Sequence, residues 1–131
     1  MATTNAFAAT PHIESNIATV AETGLTAPAS AVLCFTAAAG GSRIHRIDIQ
    51  QVAATAAGNI MNLFWYDGSN YRLWQSVKMD TVAAVSATAP PARATLLFPD
   101  GIPVPGTGLN RLYAATYSGD DAVVTVYGGD L

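Results

Sequence analysis

Charged residues are scarce in this sequence. Asp, Glu, Lys and Arg make up 11% of its 131 residues, against about 25% in an ordinary soluble protein. Six of them are cations, and Lys78 is the single lysine. A nucleic-acid-binding protein needs a basic face that displaces counterions, so we expect no nucleic-acid partner. A surface with so little charge also predicts that a protein partner covers part of it.

Cysteine and membrane-spanning segments are similarly lacking. The single cysteine, Cys34, excludes an internal disulfide and a zinc site built on several cysteines. It lies in the apolar run 31–35, which predicts a buried thiol. The uncharged stretch 23–42 contains Pro28 and three glycines, so we reject a membrane helix there. The first ten residues lack Lys, Arg and a leucine-rich core, so we expect no secretory signal, no membrane anchor and synthesis in the cytoplasm.

Patterns that carry catalysis or bind metals are also missing. The two histidines, His12 and His45, have no zinc spacing, and no G-x-S-x-G nucleophile elbow is present. The acids at Asp67 and at 120–121 could ligate calcium, but Asp in a tight turn more often bonds its own backbone. We therefore expect no enzyme, no catalytic residue, no metal and no cofactor.

What the sequence does contain is a series of short apolar segments divided by Gly, Pro, Asp and Asn. Half of its residues are hydrophobic, and a chain of this length can bury about two thirds of its surface. No helical periodicity is visible, so the pattern predicts an all-β fold: an antiparallel β-sandwich, jelly-roll-like, with about eight short strands. The strands are predicted at residues 15–21, 29–36, 43–52, 59–66, 71–79, 92–98, 109–118 and 121–127.

Two segments fall outside this pattern. Residues 1–14 are small, polar and aperiodic, which predicts an extended N-terminal arm before a single domain at 15–131. The segment 99–106 contains three prolines, which remove ladder donors. We therefore predict an extended crossing between the two sheets there.

The strongest local feature is a hairpin around the turn 67–70. Its first strand is apolar on both faces, which predicts a central strand or one that meets another subunit. One face is predicted to carry Met61, Leu63 and Trp65, and the other Ile60, Phe64 and Tyr66. The return strand is predicted to carry Tyr71, Leu73, Val77 and Met79 on one face and Arg72, Trp74, Ser76 and Lys78 on the other.

Five aromatic residues crowd this hairpin: Phe64, Trp65, Tyr66, Tyr71 and Trp74. Three interpretations compete. At least half of the cluster must be ordinary core. The rest forms either a sugar-stacking platform, with Trp74 beside Arg72 and Asn70, or a self-association interface. Because charge is low over the whole chain and aromatic anchors are enriched at interfaces, we favour the interface over the sugar platform.

Three segments of the chain also carry a resemblance: GSRIHRIDIQ at 41–50, LFWYDGSNYRLW at 63–74 and VVTVYGGDL at 123–131. In this order they resemble small structural proteins encoded in tailed-bacteriophage genomes. The similarity covers roughly residues 30–131 and leaves the N-terminal arm unmatched.

The resemblance implies a virion protein, of the capsid decoration or cement type, that binds the outer capsid and stabilises contacts between capsomers. It implies the major capsid protein as partner, a dimer or trimer on a symmetry axis, assembly in the host cytoplasm and no catalytic residues. The arm is then expected to contact the capsid through Thr3, Asn5, Phe7, Pro11 and His12. The alternative is a carbohydrate- or host-surface-binding module of a phage tail or head fibre, with its site at the loops 67–70 and 118–121.

Overall fold

The fold was analysed in a computed structural model that describes residues 10–131. The regular elements of these residues are eight strands, so the predicted all-β class is confirmed. Their bounds are β1 Thr10–Ala18, β2 Val32–Thr36, β3 Ser42–Gln51, β4 Asn59–Tyr66, β5 Tyr71–Met79, β6 Arg93–Val104, β7 Arg111–Thr116 and β8 Ala122–Asp130.

The strands form two antiparallel four-stranded sheets that pack face to face. Sheet A has the order β1-β8-β3-β6, and sheet B has the order β2-β7-β4-β5. The first strand pairs with the last, the second with the seventh, the third with the sixth and the fourth with the fifth. The chain is therefore a nested set of hairpins rolled into a sandwich, which is the jelly-roll arrangement that the strand pattern predicts.

Apolar side chains from the two inner faces form the core. In β3, Ile47 and Ile49 belong to this core and are fully buried. Ile44 joins them because the β3–β8 pairing shifts by one residue between Ile44 and Arg46. Cys34 is also buried, and its burial raises the pKa of the thiol to about 12. The largest core side chains are Phe35, Ile44, Ile47, Ile49, Met61, Leu63, Met79, Leu112, Val124 and Val126.

The N-terminal strand begins earlier than the sequence predicts. The arm is predicted over residues 1–14, whereas β1 begins at Thr10, which pairs with Asp130. A strand at the end of the chain orders these residues, and the local pattern of β1 does not reveal that partner. Residues 1–9 lie outside the described residues, and with them the predicted arm contacts Thr3, Asn5 and Phe7.

The proline-rich segment is not a crossing between sheets, as predicted, but part of β6. The strand continues to Val104 on the edge of sheet A, with a wide bulge between Leu97 and Ile102. Proline is tolerated at edges and bulges, because no second neighbour needs the missing N–H. Gly101 adopts a φ of 74° within the bulge, a backbone conformation that residues other than glycine rarely adopt.

A second bulge rearranges the predicted faces of β5. Leu63 pairs with Gln75, but Phe64 pairs with Leu73, so Trp74 is the extra residue. An extra residue reverses the alternation beyond it. Trp74 consequently packs against the core, and Leu73, which was predicted on the same face as the buried Met79, is 42% exposed.

Candidate interaction surface

The structure divides the aromatic cluster of the hairpin between two places. Trp65 and Trp74 pack against the core between the sheets, with their ring centroids 5.0 Å apart. The ring of Trp74 also stacks on Phe98 of β6 at 5.5 Å. Both tryptophans therefore belong to the interior packing, and the ring that the sugar-platform interpretation requires is already stacked within the fold.

The other three aromatic residues lie on the outer face of sheet B. Tyr66 pairs with Tyr71 across β4 and β5, and their rings stack at 4.3 Å. Tyr113 of β7 lies edge-on to both of them at 5.3 Å. Phe64 beneath them is fully buried, and the Tyr71 ring stands edge-on to it with the ring centroids 6.2 Å apart. We call Phe64, Tyr66, Tyr71, Leu73 and Tyr113 the tyrosine face.

The sequence pattern does not group Tyr113 with the aromatic residues of the hairpin. The alternation of Leu112 and Ala114 in β7 identifies an inner face, and both residues are buried. The same alternation places Tyr113 on the opposite face. What the sequence does not show is that β7 is the neighbour of β4, where Phe64 pairs with Tyr113.

Beyond the tyrosine face, the outer surface of sheet B carries two more exposed aliphatic residues, together with the hydrogen-bonded polar pair Asn62 and Ser76. Leu33 and Ile60 are each 38% exposed. Ile60 also lines a recess of about 410 Å³, together with Lys78 and Tyr117. The outer face of an antiparallel sheet ordinarily carries polar side chains. An outer face with this composition has the character of an interaction surface.

The charges of sheet B are all of one sign. Its four strands contain Arg72, Lys78 and Arg111 and no carboxylate. The Arg111 guanidinium lies 5.0 Å from the centre of the Tyr66 ring. Burial, followed by the neighbouring phenols of Tyr113 and Tyr66, raises the pKa of Tyr71. Sheet B thus presents tyrosines and cations together.

Sheet A, in contrast, pairs two of its three cations, Arg46 and Arg93, with a carboxylate. Both oxygens of Asp48 accept hydrogen bonds from Arg46, at 2.9 and 2.7 Å, and Arg93 and Thr95 add contacts at 3.1 and 2.9 Å. Burial of Asp48 alone would raise its pKa, but these hydrogen bonds and the two guanidinium charges hold the pKa of Asp48 below its ordinary value.

Two further carboxylates, those of Asp130 and Glu14, hold the N-terminal strand in place through His12. His12 Nδ1 lies 2.6 Å from Asp130, and its Nε2 lies 3.0 Å from Glu14. The imidazole also packs at 4.4 Å against Phe35 in the interior. Hydrogen bonds from His12 and then Ser42 lower the pKa of Asp130. His12 and Pro11 were predicted as arm residues that contact a capsid. His12 is instead held within the fold, and Pro11 of β1 is paired with Gly129 of β8.

The side chains of β1 also cover the free edge of β2. Glu14 Oε2 accepts a hydrogen bond from the Thr36 N–H at 2.7 Å, and Asn16 Nδ2 donates to the Leu33 carbonyl at 2.9 Å. Satisfying the backbone of an edge strand in this way blocks its pairing with another chain. This side of the sandwich is therefore closed.

The lowered pKa of Asp48 predicts a pH-dependent stability. A carboxylate whose pKa is lowered by folding stabilises the protein above its unfolded pKa of about 3.9, and this contribution is lost as the pH falls. We expect Asp48→Asn to lower the free energy of unfolding by about 1.5–3 kcal/mol at pH 7. The difference from the wild type should shrink towards about pH 3. Urea unfolding at both pH values measures it, and a difference independent of pH would contradict this role of Asp48.

The sequence matches none of the protein-family models with which it was compared, and no curated protein matches it. Residues 10–131 contain no group of three or more His, Cys, Asp or Glu side chains placed to hold a metal ion. The same part of the chain has no helix with the length and hydropathy needed to cross a bilayer.

Proposed function

We propose that this chain is a non-enzymatic bacteriophage virion structural protein, a capsid decoration protein that binds the outer capsid and stabilises contacts between capsomers. The observation that carries the proposal is the outer face of sheet B, where tyrosine and aliphatic side chains occupy a surface that is ordinarily polar. The resemblance of residues 30–131 to small phage structural proteins supports the same role. So does the jelly roll, a fold used in viral capsid domains.

In this role the protein acts by binding alone. A partner that binds the assembled capsid and not its dissociated subunits stabilises the assembly by mass action. Its partner is the major capsid protein, its place is the outer surface of the virion, and a dimer or trimer on a symmetry axis would repeat each contact. Residues 1–9, which precede β1 at the edge of sheet A, would add contacts beyond the sandwich.

The test uses undecorated capsids of the phage that encodes the chain. Added protein is expected to cosediment with the capsids to saturation and to raise their melting temperature, measured by calorimetry. Deleting residues 2–9 should weaken the binding. A longer deletion that enters β1 is unsuitable, because it would remove strand residues paired with β8. Absence of wild-type binding would overturn the proposed function, and full binding by the deletion variant would remove the arm from it.

A further inference from the structure

We propose that the outer face of sheet B docks onto a carboxylate-bearing protein surface, with Arg111 and Lys78 as charged anchors and the tyrosine face between them. Arg111 is paired with Tyr66 at one end of β4, and Lys78 with Ile60 at the other. At the rise of an extended strand, these positions are about 20 Å apart. That the partner is the capsid rests on the proposed function, whereas the chemistry of the surface does not.

Charge complementarity is the first argument for an acidic partner. In residues 10–131, Arg46 and Arg93 of sheet A form ion pairs with Asp48. No carboxylate lies within ion-pair distance of Arg111, Arg72 or Lys78 on sheet B, or of Arg43 on sheet A, whose guanidinium donates to the Asp100 carbonyl. Asp67 lies in the turn next to Arg111, but its carboxylate already accepts hydrogen bonds from the backbone N–H groups of Ser69 and Asn70. Arg111 and Lys78, which lie beside an apolar surface without a carboxylate partner, favour a protein that brings carboxylates.

The shape of the face is the second argument. Leu73 and Ile60 project from it, and the recess beside Ile60 has room for an apolar side chain between Tyr117 and Lys78. An apolar side chain that enters this recess would carry a neighbouring carboxylate close to the Lys78 ammonium group. Aromatic and apolar anchors surrounded by charged groups are the usual composition of an interface centre and its rim.

A second copy of the chain fits this face less well. Two outer faces of sheet B packed together would bring Lys78 and Arg111 from each copy and no carboxylate from any of the strands. Like charges brought together across an interface destabilise it. We therefore assign the face to a different, acidic protein.

The first experiment is a titration of the isotope-labelled full chain, followed by NMR, with a short peptide of alternating Glu and Leu. The amide signals of β4, β5 and β7 should move, and a matched Lys and Leu peptide should leave them unchanged. The double variant Arg111→Gln, Lys78→Gln should bind the acidic peptide about tenfold more weakly. The control Arg43→Gln, Arg93→Gln removes the same charge from sheet A and should bind within about twofold of the wild type. Signals that move on sheet A instead, or equal binding by both double variants, would overturn the proposal.

The second experiment separates this proposal from its alternatives. Leu73→Lys changes an exposed residue of the face, so its fold should be retained. If light scattering shows a wild-type oligomer that this variant dissociates, a second copy covers the face and the proposal is wrong. If wild-type protein binds capsids and the Arg111→Gln, Lys78→Gln variant binds them equally well, the inference fails and the proposed function survives. If the acidic peptide maps to the face but capsids are not bound, the inference holds and the proposed function fails.

Discussion

Replacing Asn59 by Asp is expected to lower the free energy of unfolding by about 3 kcal/mol or more at neutral pH, although the two side chains have nearly the same shape. Asn59 is buried at the end of the sandwich where β4 begins. Its Nδ2 group donates to Gln51 Oε1 at 2.7 Å and to Thr116 Oγ1 at 2.9 Å. Its Oδ1 atom accepts from the backbone N–H groups of Ile60 and Ser118.

The substitution preserves the two accepted hydrogen bonds and removes both donated ones. It also brings a charged oxygen towards Gln51 Oε1, which is an acceptor. Burial raises the pKa of the new carboxyl, so the loss of stability should diminish as the pH falls and the group regains a proton.

Urea unfolding at neutral and acidic pH measures both effects. The matched control is Asn70→Asp, which makes the same chemical change at an exposed turn position and should alter stability by less than about 0.5 kcal/mol. If the two variants lose similar stability, Asn59 does not organise this end of the sandwich through its donated hydrogen bonds.

The sequence predicts the strands of this fold best where turn chemistry is local. Residues 59–66 and 71–79 are predicted as strands, and β4 and β5 have these bounds. The turn between them is fixed by Asp67, whose carboxylate accepts hydrogen bonds from the backbone N–H groups of Ser69 and Asn70. Hydrogen bonds over two or three residues can be inferred from the sequence alone.

The bulges are harder to predict because they are properties of a strand pair. Nothing within β5 indicates that Trp74 is the extra residue; its position depends on the register with β4. The same holds for β6, where the bulge opposite β3 accommodates Pro99 and Gly101. A one-residue change of register reverses which side chains face the core. Sequence alternation alone therefore assigns Leu73 and Trp74 to the wrong faces.

Only the part of the candidate surface that lies on one hairpin could be predicted, because the rest depends on the order of the strands in the sheet. Phe64, Tyr66 and Tyr71 lie on one hairpin, so their proximity follows from the turn. Tyr113 and Arg111 reach them only because β7 lies beside β4 in the sheet order. The contrast in charge between the two sheets also depends on that order, because the sequence alone does not assign each cation to a sheet.

The second large effect is expected at Phe64, which is fully buried although it lies on an outer face. Phe64→Ala should lower the free energy of unfolding by about 3–5 kcal/mol, as for a phenylalanine in an ordinary core. The reason is that the Tyr71 ring stands edge-on to the Phe64 ring at 6.2 Å, and Tyr113 is the cross-strand neighbour of Phe64 on β7. Removing the Phe64 ring leaves a cavity. Because Tyr71 and Tyr113 are held by their contacts with each other and with Tyr66, they can move only partly into that cavity.

Leu73→Ala is the matched control, because Leu73 is the cross-strand partner of Phe64 and is 42% exposed. It should cost about 1 kcal/mol or less in the free protein. Chemical unfolding of both variants gives the comparison, and equal losses would mean that Phe64 is not packed by its own sheet. A much larger loss of stability for Phe64→Ala than for Leu73→Ala would show that Phe64 is a packed, ordered support of the tyrosine face before any partner binds. A preorganised face of this kind gives up little side-chain entropy on docking, so Leu73→Ala should weaken partner binding while leaving the free fold nearly intact.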